Sequence, residues 1–201
     1  MHAYKQSSVT SVPNNSATIF TFNSRWRRYH DFYRHRIPID ALDWLLEPGS
    51  LTQRLIQTCN SRSFWVKLLN ENYRQVSLDE AYILGVRDGV RVKVREVLLQ
   101  CDETPWVYAR SLIPVTSLKG RLRRLKQQGN RSLGATLFAD RTLRRGPLEI
   151  RCVHAAGLPV EASAGTDKTD PVWGRRSIFY LQGMPLLVSE YFLPALFKSG
   201  R

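Results

Sequence analysis

The segment Pro185-Leu186-Leu187-Val188-Ser189-Glu190-Tyr191-Phe192-Leu193-Pro194 sets one acid among apolar residues. As a strand with alternating faces, it puts Glu190 on the same side as Leu186, Val188 and Phe192, the side expected to be buried. A carboxylate there must find a cationic or hydrogen-bonding partner or stay protonated, because an unpaired buried charge is strongly unfavourable. Two readings stay open at this point, a structural ion pair and a ligand-facing acid in a pocket. Candidate partners stand just upstream, in Trp173-Gly174-Arg175-Arg176-Ser177, and on a second strand that carries Arg95.

On that second strand one face reads Val92, Val94, Glu96, Leu98 and the other Arg91, Lys93, Arg95, Val97, Leu99. Arg95 sits where its face changes from charged to apolar. Its companions Arg91 and Lys93 favour a solvent-facing arginine, and the alternative is a guanidinium at a pocket rim, shaped to hold a carboxylate by two parallel hydrogen bonds. Arg110, between Tyr108 and Leu112, and the Arg175-Arg176 pair beside a glycine are similar cases. An apolar sheet edged by arginines with one buried acid suits a small aromatic or cyclic carboxylic acid.

The elements that must position these groups are an α+β set in a single domain. Strands are predicted over 63–70, 91–100, 106–114, 148–154, 177–181 and 186–193, with short turns at 101–105 and 182–185 that suit hairpins. A mostly antiparallel six-stranded sheet with helices packed to one side follows. Asp40 to Leu46, stopped by Pro48-Gly49, reads as a short helix, and Ser50-Leu51-Thr52-Gln53 has the capping-box spacing that opens another through about Thr58. Trp26, Tyr29 and Tyr33 at helical spacing predict a third within 25–36. Residues 155–172 read as a long exposed loop, and residues 1–24, rich in Ser, Asn and Thr, as a flexible tail before a domain over 25–201.

The chain of 201 residues carries a formal charge of +13, confined to two places. Residues 1–37 hold six Lys/Arg and one acid, residues 119–151 hold ten and two, and the rest is balanced. In Lys119-Gly120-Arg121-Leu122-Arg123-Arg124-Leu125-Lys126, the leucines could seat a short helix with its basic side in water, a better account than a nucleic-acid stripe. No stretch approaches the length of a bilayer span and no signal-peptide core opens the chain, so a cytoplasmic protein without stable membrane insertion is expected. Cys59, Cys101 and Cys152 are odd in number and lack CxxC or neighbouring His, which predicts ordinary thiols and neither a disulfide framework nor a metal site.

Several of these segments, in this order, resemble chorismate lyase. They are Leu42-Asp43-Trp44-Leu45-Leu46 with Ser50-Leu51-Thr52, Arg95-Glu96-Val97-Leu98-Leu99, Pro105-Trp106 with Arg110 and Pro114-Val115, Leu133-Gly134 with Leu137-Phe138, and Trp173-Gly174-Arg175-Arg176-Ser177 with Pro185-Leu186-Leu187 and Glu190 to Pro194. The resemblance covers about Ile37 to Phe197. It implies an α+β fold on an antiparallel sheet, no cofactor, and conversion of chorismate to 4-hydroxybenzoate and pyruvate for ubiquinone biosynthesis. It also implies that Arg95 binds the ring carboxylate, that Glu190 contacts the ring hydroxyl, and that Leu51 and Leu133 supply backbone or apolar contacts. Arg176 or Arg175 is then expected near the leaving pyruvyl group or as a support of the sheet.

A monomer acting on a small molecule, with no nucleic-acid partner, is the expectation. The rival from another class is a non-catalytic sensor of an aromatic acid, since the same type of fold serves as the effector domain of some transcription regulators. The segment before the domain is too short and too polar for the helix-turn-helix module that such regulators carry.

Overall fold

Long neighbouring strands pair antiparallel throughout the chain, seen in a computed structural model that describes residues 25–31, 37–60 and 62–198. The strands are β1 (Arg27–Arg28), β2 (Phe64–Gln75), β3 (Arg91–Cys101), β4 (Thr104–Pro114), β5 (Arg144–Arg145), β6 (Glu149–His154), β7 (Pro171–Leu181) and β8 (Met184–Phe192). They form one sheet in the order β1-β6-β7-β8-β4-β3-β2, with β5 on β7. The six predicted strands are all present, and the two-residue strands β1 and β5 bring the number to eight. Both expected hairpins form. At the second, Gln182 and Gly183 take φ of 52° and 77°, the left-handed pair that a two-residue turn needs to match strand twist.

Alternation along these strands sorts side chains onto two faces. One face packs its apolar residues, such as Val97, Leu99, Trp173 and Phe192, against α1 (Ile39–Leu45) and α2 (Leu51–Cys59). Farther along the same face, Phe179, Leu181 and Leu186 meet Leu122 and Leu125 of the 3-10 helix Gly120–Gln127, and Leu133 and Leu137 of α4 (Leu133–Phe138). The predicted seating of Leu122 and Leu125 therefore holds, in a 3-10 helix.

Helices also cover the other face, which corrects the one-sided expectation. There α3 (Leu78–Leu84) packs Ala81 and Leu84 on Val92, Val94, Leu112 and Leu187. Its start is a capping box, Ser77 Oγ accepting from Glu80 N and Glu80 Oε2 from Ser77 N, and its end is Gly85 at φ 63°. Both ends are sequence signals, left unread between two predicted strands. The stretch 155–172 is likewise more than a loop, for it contains a 3-10 turn (Ala155–Gly157), α5 (Val160–Ser163) and the start of β7. Ala155 and Ala162 are buried against Leu98, Tyr108 and Tyr191, because their small side chains allow the segment to lie close on the sheet.

Two further expectations are corrected. Arg27–Arg28 pair with β6, so that the helix expected within 25–36 is reduced, among the described residues, to a 3-10 turn over Tyr29–Asp31, and Tyr29 N donates to Leu148 O at 3.0 Å. Cys59 and Cys101 form a disulfide across 42 positions, with Cα atoms 5.7 Å apart, while Cys152 stays a free buried thiol. Burial pushes that thiol up to about 12. Spacing rules catch cysteines close in sequence, whereas this pair meets because the end of α2 packs on the end of β3. The predicted tail 1–24 and Tyr33 lie outside the described residues.

Candidate active site

Between the sheet and the segments that cover its first face lies a small cavity of about 50 Å³, with Leu51, Leu133, Arg95 and Glu190 in its lining. Four of the five residues singled out in the sequence therefore converge. Leu51 and Leu133 open α2 and α4, each capped by the preceding serine. Ser50 Oγ accepts from Gln53 N, and Ser132 Oγ accepts from Ala135 N at 3.1 Å. A 2.6 Å hydrogen bond between Thr52 Oγ1 and Ser132 Oγ ties the two helix starts together across 80 positions. Gly134 suits this close approach, since an added Cβ would lie 3.2 Å from Thr52 Oγ1.

Arg95 is buried, 4% exposed, and its solvent-facing reading fails because the segment after the basic 3-10 helix folds over β3. Its Nη2 donates to the carbonyls of Gly129 and Arg131, both at 2.8 Å, while its buried Nε has no hydrogen-bond partner. Burial pushes the guanidinium below its ordinary range, and Glu71 opposes that shift. Lys93, two residues earlier on the same face, is also buried. Its Nζ donates to Leu125 O at 3.3 Å and to Lys126 O, and pairs with Glu71 at 2.8 Å. Two cations on one strand thus bind carbonyls of the segment 125–131, which leads into Ser132 and Leu133 of the cavity lining.

Glu190 both lines the cavity and forms an ion pair. Its Oε2 accepts from Arg175 Nε at 2.6 Å. Arg175 Nη1 in turn donates to the carbonyls of Trp44, Leu45 and Glu47 at 2.9–3.2 Å, closing the C-terminal end of α1 onto the sheet. Glu190 Oε1 carries no hydrogen bond among the described residues.

The structure does not bring Arg176 to this cavity. Strand alternation turns it to the opposite face, where Nε donates to Glu149 at 2.6 Å and Nη1 to Asp79 at 2.9 Å. Arg110 is occupied on that face as well, by Glu80 at 2.9 Å and Glu96 at 3.3 Å. A cavity residue missed in the sequence is Arg145, on the short strand β5. Its position inside the basic stretch 119–151 concealed it, because it is one of ten Lys/Arg there.

The chain matches known proteins over nearly all of this architecture. The family described as chorismate lyase matches residues 21–201. A relative from Methylococcus capsulatus, described as "Probable chorismate pyruvate-lyase", is 43% identical over 153 residues, covering 76% of this chain and 94% of its own length. One from Pseudomonas aeruginosa with the same description is 42% identical over 160 residues, covering 80% and 86%. Among solved structures, the effector domain of PhnF from Mycobacterium smegmatis superposes with a TM-score of 0.58 at 18% identity, covering 73% of this chain and 90% of that one. That likeness concerns the fold alone.

Proposed function

We propose that this chain, which belongs to the chorismate lyase family, eliminates pyruvate from chorismate and releases 4-hydroxybenzoate, feeding ubiquinone biosynthesis. The observation that carries this reading is a guanidinium with an unpaired buried Nε at Arg95 and an acid at Glu190, both lining one cavity with largely apolar walls. In this reading Arg95 takes the ring carboxylate and Glu190 the ring hydroxyl. Leu51 and Leu133 supply backbone or apolar contacts to the ring and its carboxylate. Among the described residues no helix is long and apolar enough to cross a membrane.

In the reaction, the proton on the carbon bearing the hydroxyl leaves and its electron pair enters the ring. The ether bond breaks toward the enol oxygen, and the released enolpyruvate takes up a proton to become pyruvate. The ring gains aromaticity and nothing is oxidised, so the chemistry calls for no cofactor.

Incubation of the purified protein with chorismate, with no added metal or cofactor, tests the reading by following 4-hydroxybenzoate and pyruvate. Equal amounts of both are expected. Binding of 4-hydroxybenzoate without turnover would instead favour the sensor reading, which the fold shared with the PhnF effector domain makes the natural rival. Glu190→Gln separates two roles for the acid. A loss of about 10²- to 10⁴-fold in turnover assigns it the ring proton. A loss under about tenfold leaves it a positioning role, with the proton passing within the bound substrate.

A further inference from the structure

Chorismate carries two carboxylates, and the arrangement above provides for one. Of the four arginines in the cavity lining, Arg110 gives its guanidinium to Glu80 and Glu96 on the opposite face, which leaves those of Arg95, Arg145 and Arg175 against the single carboxylate of Glu190. Arg175 and Glu190 balance each other at 2.6 Å, and the remaining hydrogen bonds of Arg175 all go to carbonyls at the end of α1. Arg95 and Arg145 keep an excess of two positive charges, which is the charge complement of a dianion.

Arg145 is held in place by neutral groups. Its Nε donates to Ser177 Oγ at 3.1 Å and its Nη1 to Glu47 O at 3.2 Å, and the guanidinium lies over the Phe179 ring, 5.5 Å from its centroid. Nη2 makes no hydrogen bond among the described residues. The backbone beside it is pinned, for Gly146 N donates to Ile178 O at 2.8 Å and an added Cβ on Gly146 would lie 2.5 Å from Ile178 Cγ2. The chain therefore passes β7 at Gly146 closely enough that a side chain there would force Ile178 to shift.

We propose that Arg145 binds the carboxylate of the enolpyruvyl group of chorismate through Nη2 and stabilises the negative charge on that group as the ether bond breaks. This inference rests on the lyase reading and extends it to the second substrate anion. The substrate's own geometry supports it, because the ether and the hydroxyl stand on neighbouring ring carbons. The cation that takes the pyruvyl carboxylate must then lie beside the group that takes the hydroxyl, at the far end from the ring carboxylate. Arg145 meets that condition: its Nη1 and Arg175 Nη1 both donate to Glu47 O, and Arg175 Nε pairs with Glu190. Arg145 is therefore one residue removed from Glu190, whereas Arg95 is tied to the carbonyls of Gly129 and Arg131.

The test compares substrate with product, since 4-hydroxybenzoate lacks the pyruvyl carboxylate. In Arg145→Gln, kcat/KM for chorismate is expected to fall by about 10²- to 10³-fold, the usual effect of removing one donor aimed at developing charge. Affinity for 4-hydroxybenzoate is expected to stay at the wild-type value, which also certifies that the variant is folded. Arg145→Lys, which keeps the charge and loses the planar fork, should lie between the two on chorismate with the same 4-hydroxybenzoate affinity, and it serves as the reading if the glutamine variant does not fold. Parallel loss of turnover and of 4-hydroxybenzoate binding in both variants would make Arg145 a structural prop, and wild-type kcat/KM would remove it from the site. A wild-type protein that forms no pyruvate from chorismate would overturn the lyase reading itself, and this assignment with it.

Discussion

On the sheet face away from the cavity, Arg74 and Arg110 reach Glu80, and Arg176 reaches Glu149 and Asp79. On the cavity face, Arg95 is held by the carbonyls of Gly129 and Arg131, and Arg145 by a carbonyl and a serine hydroxyl. Both faces bury guanidinium groups, yet they balance the charge differently. A cation matched by a carboxylate closes its charge within the protein and acts as structure. A cation held by neutral dipoles is oriented without being neutralised, so its charge remains available to an anionic ligand. The same residue type is thus closed by carboxylates on one side and, in the proposed reading, left open to an anionic ligand on the other.

Exchanging the treatment of the two faces gives the sharpest test of this contrast. Arg95→Ala should weaken 4-hydroxybenzoate binding by about 10- to 100-fold, the worth of a charge-assisted hydrogen bond in a buried site, when measured by calorimetry. Arg176→Ala should leave that affinity unchanged and lower unfolding stability by about 3 kcal/mol, because it strands Glu149 without its partner while Asp79 keeps water. A loss of ligand affinity in Arg176→Ala comparable to that in Arg95→Ala would erase the distinction between the faces.

Acid titration probes the carboxylate pairs alone. Burial raises the Glu80 carboxyl, but hydrogen bonds from Arg74, Ser77 N and Arg110 outweigh it and hold the group at about 2 against an ordinary 4.5. The folded state therefore binds this proton more weakly than the unfolded chain. Its contribution to stability is complete above about pH 4.5 and is lost as the pH falls toward 2. That contribution is about 2 kcal/mol once solvent around the partly exposed Arg74 is allowed for. Denaturant unfolding at stepped pH should show Glu80→Gln less stable than wild type at pH 7, with the difference closing by pH 2; a constant difference would refute the ion-pair role.

A smaller effect is expected at Gly174, where the faces meet in one strand. An added Cβ there would lie 2.6 Å from Tyr191 Cδ1. The Tyr191 ring has little room to retreat, being stacked on Tyr108 at 5.7 Å and set against Trp26 at 5.9 Å, with its hydroxyl accepting from Arg151. Gly174→Ala should cost about 1–2 kcal/mol through forced displacement. A melting temperature equal to wild type would mean that the aromatic stack is looser than its geometry indicates.

Much of this arrangement was legible in local spacing. The pattern at 186–193 put Glu190 on the inner face, the capping-box spacing at Ser50 placed Leu51 at a helix start, and the leucines at 122 and 125 announced their burial. What failed were judgements about what lies across from a segment. Arg95 looked solvent-facing beside Arg91 and Lys93 because the carbonyls that cover it come 34 and 36 residues later. Residues 155–172 looked like a loop because alanines and glycines carry little hydrophobic signal, although small residues are what allow a close approach to the sheet. Cys59 and Cys101 gave no sign of pairing for the same reason of distance along the chain.

Period and propensity are short-range properties, so strand alternation, helix starts and the family resemblance could be read from the order of residues alone. The separation of Arg175 from Arg176 follows from that alternation, and their neighbours in sequence even show that they must diverge. Which of the two meets the cavity, and which a pair of carboxylates, depended on the register that sets Arg175 opposite Glu190 and Arg176 opposite Ser189, and on α3 bringing Asp79 across 97 positions. A buried charge takes its role from the groups packed against it, and those groups are assembled only when the distant parts of the chain fold together.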